Sequence, residues 1–141
     1  MNQLMFRVTG ALHRTLYRLS GGKLGGVTRG VATLLLTVRG RKTGKKRTVP
    51  LLYGRDGDRY VVIASKGGDP KHPAWYLNLR SGDADLQVGR QHVHVRAHDA
   101  EGEERDRLWA MMVGLYPPYA EYQEKTTREI PVVILEPLGT V

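Results

Sequence analysis

Six short runs of β-branched, aromatic and aliphatic residues, at 32–38, 48–53, 60–64, 84–88, 91–97 and 132–136, restrict the fold of this chain more than any other feature. Arg55-Asp56-Gly57-Asp58 separates the second run from the third, and Gly89 and Arg90 separate the fourth from the fifth. Both are connections of hairpin length in which Gly supplies positive φ. Strands joined as hairpins, without regular helical crossovers, predict an antiparallel sheet closed into a small barrel with helices appended. Seventeen glycines in 141 residues suit so many turns. The spacing predicts helices over 73–80, with Pro in its first turn, over 101–113, acidic at its start, and over 118–126. A fourth, over 3–19, repeats Leu4, Val8, Leu12, Leu16 and Leu19 at intervals of three and four and ends at Gly21 and Gly22. The expected organisation is therefore an N-terminal amphipathic segment, 1–22, and one barrel domain, 23–141.

Composition removes several classes of chemistry. The chain has no Cys, which excludes disulfides, thiolate metal sites and a cysteine nucleophile and suits a reducing compartment. The longest apolar run, 31–38, is interrupted by Thr33 and Thr37, and a membrane-spanning helix requires roughly 20 apolar residues. Arg7, Arg14 and Arg18 stand where a signal peptide needs an unbroken apolar stretch, so the expected location is cytoplasmic.

Charge is distributed unevenly. Residues 1–55 contain twelve Lys or Arg and no acidic residue, whereas 56–141 contain ten basic and fourteen acidic residues, so a net +8 divides into +12 and −4. Such a front half attracts anions; nucleic acid, a phosphorylated cofactor and an anionic membrane all satisfy the electrostatics. The basic helix over 3–19 reads either as a segment lying on such a membrane or, as most amphipathic helices do, as one docked on the core.

Between the first two strand runs, Gly40-Arg41-Lys42-Thr43-Gly44-Lys45-Lys46-Arg47 sets five cations among glycines that let backbone amides approach an anion. It is not a P-loop: three residues separate Gly40 from Gly44, and Lys46 stands where Ser or Thr would bind magnesium. A second candidate follows the third run, where Ala64-Ser65-Lys66-Gly67-Gly68 combines a hydroxyl, a cation and flexible glycines at a strand end. In His72-Pro73-Ala74-Trp75-Tyr76-Leu77-Asn78-Leu79, Trp75 and Asn78 lie three apart on one helical face, and Leu77 and Leu79 read as a plug for a barrel end. Tyr116, Tyr119 and Tyr122 recur every third residue, which places them on roughly one helical face. His92, His94 and His98 alternate with Val93, Val95 and Ala97 as the polar face of a half-buried strand, and no metal site is expected from them. No Ser carries the nucleophile-elbow spacing of a hydrolase.

In order and spacing, Thr37-Val38-Arg39-Gly40-Arg41-Lys42-Thr43-Gly44, Arg47-Thr48-Val49-Pro50-Leu51, Ser65-Lys66-Gly67-Gly68 and the block from His72 to Leu79 closely resemble the deazaflavin-dependent nitroreductase family, and the likeness runs from the N-terminal helix to Pro137. The resemblance implies a mainly β, antiparallel split β-barrel of the FMN-binding split-barrel kind. It also implies the reduced deazaflavin coenzyme F420 as hydride donor and a quinone, or a nitroaromatic compound, as acceptor. It assigns Arg41, Lys42, Thr43, Arg47 and Lys66 to the coenzyme's phosphate and oligoglutamate tail. Thr48, Val49, Pro50, Leu51, Leu52, Ile63, Ala64, Ser65, Gly67, Trp75 and Asn78 then belong to the rest of the coenzyme site, with 50–52, 63–65, Trp75 and Asn78 flanking the tricyclic ring. Ser65 and Tyr119 are expected to position ring and acceptor, and Tyr116, Tyr119 and Tyr122 to wall the acceptor. The alternatives are an FMN-dependent oxidoreductase on the same barrel, a non-catalytic F420-binding protein and a basic barrel for nucleic acid. The first is disfavoured because the cations outnumber what one phosphate needs, and the last because the aromatic residues are used in core and pocket. Nucleic acid is thus not the expected partner. A membrane quinone would give the helix over 3–19 a reason to hold the enzyme peripherally at the inner face of the cell membrane. Oligomeric state is left open.

Overall fold

The computed structural model describes residue 14, residues 27 and 28, and residues 31–79 and 82–140. The helix expected over 3–19 lies outside the described residues, apart from Arg14, which is helical. Eight strands follow in the order β1 (Val27–Thr28), β2 (Val31–Arg39), β3 (Lys46–Leu52), β4 (Gly54–Asp56), β5 (Arg59–Ile63), β6 (Asp83–Val88), β7 (Gln91–Asp99) and β8 (Val132–Thr140). A one-turn 3₁₀ segment, Lys66–Gly68, and α1 (Ala74–Asn78) lie between β5 and β6, and α2 (Gly102–Leu115) and α3 (Pro118–Glu124) lie between β7 and β8.

Every ladder is antiparallel, and the order across the sheet is β1-β2-β6-β7-β8-β5-β4, with β3 also paired to β2. The expectation of six strands falls short because β1 and β4 are only two and three residues long. β3 and β4 are one strand bent at Tyr53: the first half pairs with β2 from Thr33↔Leu52 to Arg39↔Lys46, and the second pairs with β5 from Gly54↔Val61 to Asp56↔Arg59. The turn at 55–58 is accordingly tighter than expected, since Arg55 and Asp56 belong to β4 and only Gly57 and Asp58 make the reversal. The sheet curls as expected but is not closed. Beyond the bend, β3 follows β2 and parts from β5, and no ladder joins β3 to β5 among the described residues. That split positions the site.

Two cores flank the sheet. Alternation along β2 sends Leu34, Leu36 and Val38 inside the curl, where they meet Tyr60, Val62, Leu86, Val95, Val133 and Leu135. Leu77 and Leu79 of the α1 region pack at this core, the plug anticipated from their spacing. On the opposite side of β5 and β8, Val61, Ile63, Val132 and Ile134 pack under Leu108 and Met112 of α2 and Tyr119 of α3. Both faces of β5 are thus buried, which is why its sequence is a continuous apolar run instead of an alternating one. Each fully buried Leu or Ile contributes about 1.5–3 kcal/mol through removal from water. At the bend, α2 presses so closely on β4 that a Cβ on Gly54 would lie 2.7 Å from Met112 Sδ.

The β4–β5 hairpin is tied to α2 by charge. Arg107 donates from Nη1 to Asp56 Oδ1 at 2.9 Å and from Nη2 to Oδ2 at 3.1 Å. Arg59 also bonds Asp56 and reaches Glu104 Oε2 at 3.0 Å. These donors, Arg107 first, hold the Asp56 carboxyl well below the usual carboxylate range. A depressed folded-state pKa adds stability that is complete above the unfolded value of about 3.9 and disappears as pH falls below it. Asp56→Asn is therefore expected to flatten the loss of stability between roughly pH 4 and pH 2. Urea midpoints measured across that range test this, and the same steepness in both proteins would contradict it.

Candidate active site

The basic loop between β2 and β3 is folded. Gly40 N–H donates to Lys45 O and Gly44 N–H to Gly40 O, both at 2.8 Å, and Thr43 Oγ1 accepts from Lys45 N at 3.2 Å. Gly44 has φ +72°, a conformation that Gly adopts without steric cost. Arg41, Lys42, Lys45, Lys46 and Arg47 are exposed. Among the described residues no carboxylate pairs with any of them.

The loop is anchored from α1. Asn78 Oδ1, in a residue only 5% exposed, accepts from both the backbone N–H and Nη1 of Arg41 at 3.0 Å. Pro73 precedes α1 in extended conformation, and the helix is shorter than its expected span of 73–80. Below the loop lies a cavity of about 200 Å³ lined by Val38, Arg47, Thr48, Val49, Ala74, Trp75 and Asn78. Arg47 and Thr48 also border an open concavity of about 1210 Å³ that continues past Thr37, Gln87, His92 and His94. The described residues contain no group of three or more His, Asp or Glu placed to hold a metal ion.

The split runs along the other side of β3. Continuing the β4–β5 register past the bend sets Leu52 level with Ile63 and Pro50 level with Ser65. Of these, Leu52 and Ile63 belong to the helix-covered core, and Leu51 and Ala64 to the inner one. After Ile63 the chain makes a left-handed turn through Lys66 (φ +47°), Gly67 (φ +63°) and Gly68 (φ +85°). Ser65, 8% exposed, lies two residues beyond the end of β5, and Lys66 and Gly67 are exposed.

Three tyrosines stand beside that turn. Their ring centroids form a triangle with separations of 4.9, 6.3 and 6.4 Å, and the Tyr116 and Tyr122 hydroxyls lie 3.3 Å apart. The expected single helical face is not the cause. Tyr116 caps the C-terminus of α2, Pro117 and Pro118 turn the chain, and only Tyr119 and Tyr122 belong to α3, which stops at Glu124. Burial, reinforced by its two neighbours, raises the Tyr119 phenol pKa well above the ordinary value, so it is protonated at neutral pH.

No local sequence signal marks Arg128. It is one Arg in a loop without a motif, yet its guanidinium binds groups 56 to 64 positions away. Nε donates to Asp69 O at 2.8 Å, Nη2 to Ser65 O at 2.8 Å, and Nη1 to Ala64 O and His72 Nδ1 at 3.2 Å. A guanidinium only donates, so His72 Nδ1 is the acceptor and is unprotonated. Burial pulls the Arg128 pKa below its ordinary value.

Comparison with known proteins places this arrangement. The family described as F420H2-dependent quinone reductase matches residues 9–137. An F420H2-dependent quinone reductase of Mycobacterium tuberculosis is 41% identical over 129 residues, covering 88% of this chain and 87% of that protein. A solved F420-H2 dependent reductase is 48% identical with a TM-score of 0.68, covering 74% of this chain and 93% of its own. A second structure, described as a domain-swapped dimer, is 43% identical with a TM-score of 0.70 and covers 89% and 96% of the two chains. Match length, identity and shared fold agree: the chain belongs to the F420H2-dependent quinone reductase family.

Proposed function

We propose that this chain is an oxidoreductase that transfers hydride from reduced coenzyme F420 to a quinone, and that the site lies along the split between β3 and β5. One observation carries the location: five exposed cations, none of them ion-paired among the described residues, crowd the loop that opens β3, the strand that borders the cavity at Trp75 and Asn78 and whose far edge parts from β5. The residues fit the coenzyme. A phosphate and several carboxylates suit a folded cationic loop, where Arg41 and Arg47 offer bidentate pairing and Lys42 and Lys66 mobile point charges. Thr43 and Thr48 add hydroxyls beside them. Val49 and Trp75 supply apolar surface for a planar ring, and the strand edges at 50–52 and 63–65 face its polar edge with the backbone groups left over once Arg128 holds the Ala64 and Ser65 carbonyls and Ala64 N–H bonds Pro131 O.

When bound, the reduced deazaflavin supplies the hydride. This chain's task is to align donor and acceptor and exclude water. Ser65, just beyond β5, would hydrogen-bond ring or acceptor, with Gly67 leaving room for close approach. Tyr116, Tyr119 and Tyr122 wall the acceptor, and Tyr119, which keeps its proton, donates a hydrogen bond toward the oxygen on which negative charge develops. A nitroaromatic acceptor fits the same wall. The excess positive charge of residues 1–55 supports peripheral contact with an anionic membrane, where a lipid quinone is found. The domain-swapped dimer among its solved relatives supports self-association.

Fluorescence titration of the purified protein with oxidised F420 tests the coenzyme. Anaerobic mixing with reduced F420 and menadione, followed at the deazaflavin absorbance, tests the reaction. Saturable binding and reoxidation that requires both protein and menadione are expected; no binding would overturn the proposal, and binding without turnover would leave a carrier.

A further inference from the structure

We propose that Arg128 is a positioning residue for hydride transfer, holding the turn from Ser65 to Asp69 in the shape that presents Ser65 and Lys66 to the bound coenzyme. This rests on the site reading above. One planar guanidinium gathers the carbonyls of Ala64, Ser65 and Asp69, which bracket the turn at both ends. Between those points the backbone takes positive φ at Lys66, Gly67 and Gly68. Lys66 is the only non-Gly residue with positive φ among the described residues, and such a conformation persists only where surrounding structure enforces it. Internal bonds of the turn are few: Gly68 N–H to Ser65 O at 3.0 Å and Asp69 N–H to Lys66 O at 3.1 Å.

Arg128 is itself fixed to α3. Gln123 Nε2 donates to Arg128 O at 2.8 Å, and Gln123 Oε1 accepts from Ile130 N at 2.9 Å. Thr126 Oγ1 accepts from Arg128 N at 3.3 Å. α3 also carries Tyr119 and Tyr122, so Arg128 links the acceptor wall to the turn that meets the coenzyme. The bond to His72 Nδ1 extends the link to the segment preceding α1, which bears Trp75 and Asn78. Three separate stretches of the site thus meet at Arg128, two through its guanidinium and α3 through its backbone.

The test uses the full chain with Arg128→Ala and Arg128→Lys. Arg128→Ala is expected to weaken oxidised F420 by about tenfold or more and to raise the KM for reduced F420 by a similar factor. The KM for menadione is expected to stay within about twofold, because the tyrosine wall is held by its own packing. Guanidinium chloride at low millimolar concentration is expected to restore affinity to Arg128→Ala, with equal sodium chloride failing to do so. A merely structural arginine lowers the melting temperature without that split or that rescue. If Arg128→Ala does not fold, Arg128→Lys decides by the same coenzyme measurements. Wild-type affinity and KM in a folded variant overturn the positioning role while the site reading stands. Wild-type protein that fails to bind F420 overturns both.

Discussion

Gly68→Ala is expected to destabilise the protein by about 2–4 kcal/mol and to abolish measurable coenzyme-dependent turnover. An added Cβ would lie 2.7 Å from Tyr122 O and 3.0 Å from Lys125 Cβ, and φ there is +85°. Tyr122 O belongs to the backbone of α3, so the contact cannot be relieved by rotating a side chain; the turn or the helix must move. At about 3–5 °C per kcal/mol for a domain of this size, the melting temperature should fall by roughly 10 °C or more. Gly67→Ala provides the comparison. Gly67 has φ +63° with nothing within 4 Å of the added methyl, so only the left-handed conformation is penalised, by roughly 1 kcal/mol. Thermal melts of both variants, with F420 titrations beside them, measure the difference; equal losses would show that α3 does not press on the turn.

The other large effect concerns the loop. Lys42→Ala and Arg47→Ala are each expected to weaken F420 by about tenfold, and the double variant by about a hundredfold, from the 1.5 kcal/mol or so of each lost charged contact. Stability should change by no more than about 0.5 kcal/mol, because both side chains are exposed and, among the described residues, pair with no carboxylate. The salt dependence of binding should become shallower as cations are removed. Arg41→Ala differs in kind, since it also removes a donor from Asn78 Oδ1 and loosens the loop from α1. Titrations at two ionic strengths decide this. A double variant that binds like the wild type would move the tail elsewhere, the concavity beyond Thr37 and Gln87 being the alternative.

Much of the fold was legible because period-two patterns and hairpin glycines are local signals. The register of β6 with β7 follows directly from alternation across the two-residue connection at Gly89 and Arg90. What escaped was decided by tertiary structure. Arg55 and Asp56 read as the first half of the turn that ends at Asp58, and join Gly54 in β4 only because the strand bends at Tyr53 and finds β5 as a partner. The tyrosines were visible as a repeat, yet the prolines break the helix between them, and the triangle arises from packing across that break. The candidate coenzyme residues were legible through motif order, since the loop, the turn after β5 and α1 each announce themselves in consecutive residues. Arg128 could not be found that way: its partners at Ala64, Ser65 and Asp69 are backbone carbonyls, which no side-chain pattern encodes.

β5 is the strand buried on both faces and paired on both edges, by β8 along its length and by β4 over its first half. The amides it commits to β8 and β4 are expected to reach solvent only when those ladders and both cores open, whereas its edge beyond Val61 faces the split. The turn that follows depends on a few short-range bonds and one guanidinium, and can open while β5 stays shut. Slow exchange is therefore expected in the laddered part of β5 and faster exchange in the turn from Ser65 to Asp69, so motion confined to that turn would admit a ligand without drawing on the global stability of the sheet.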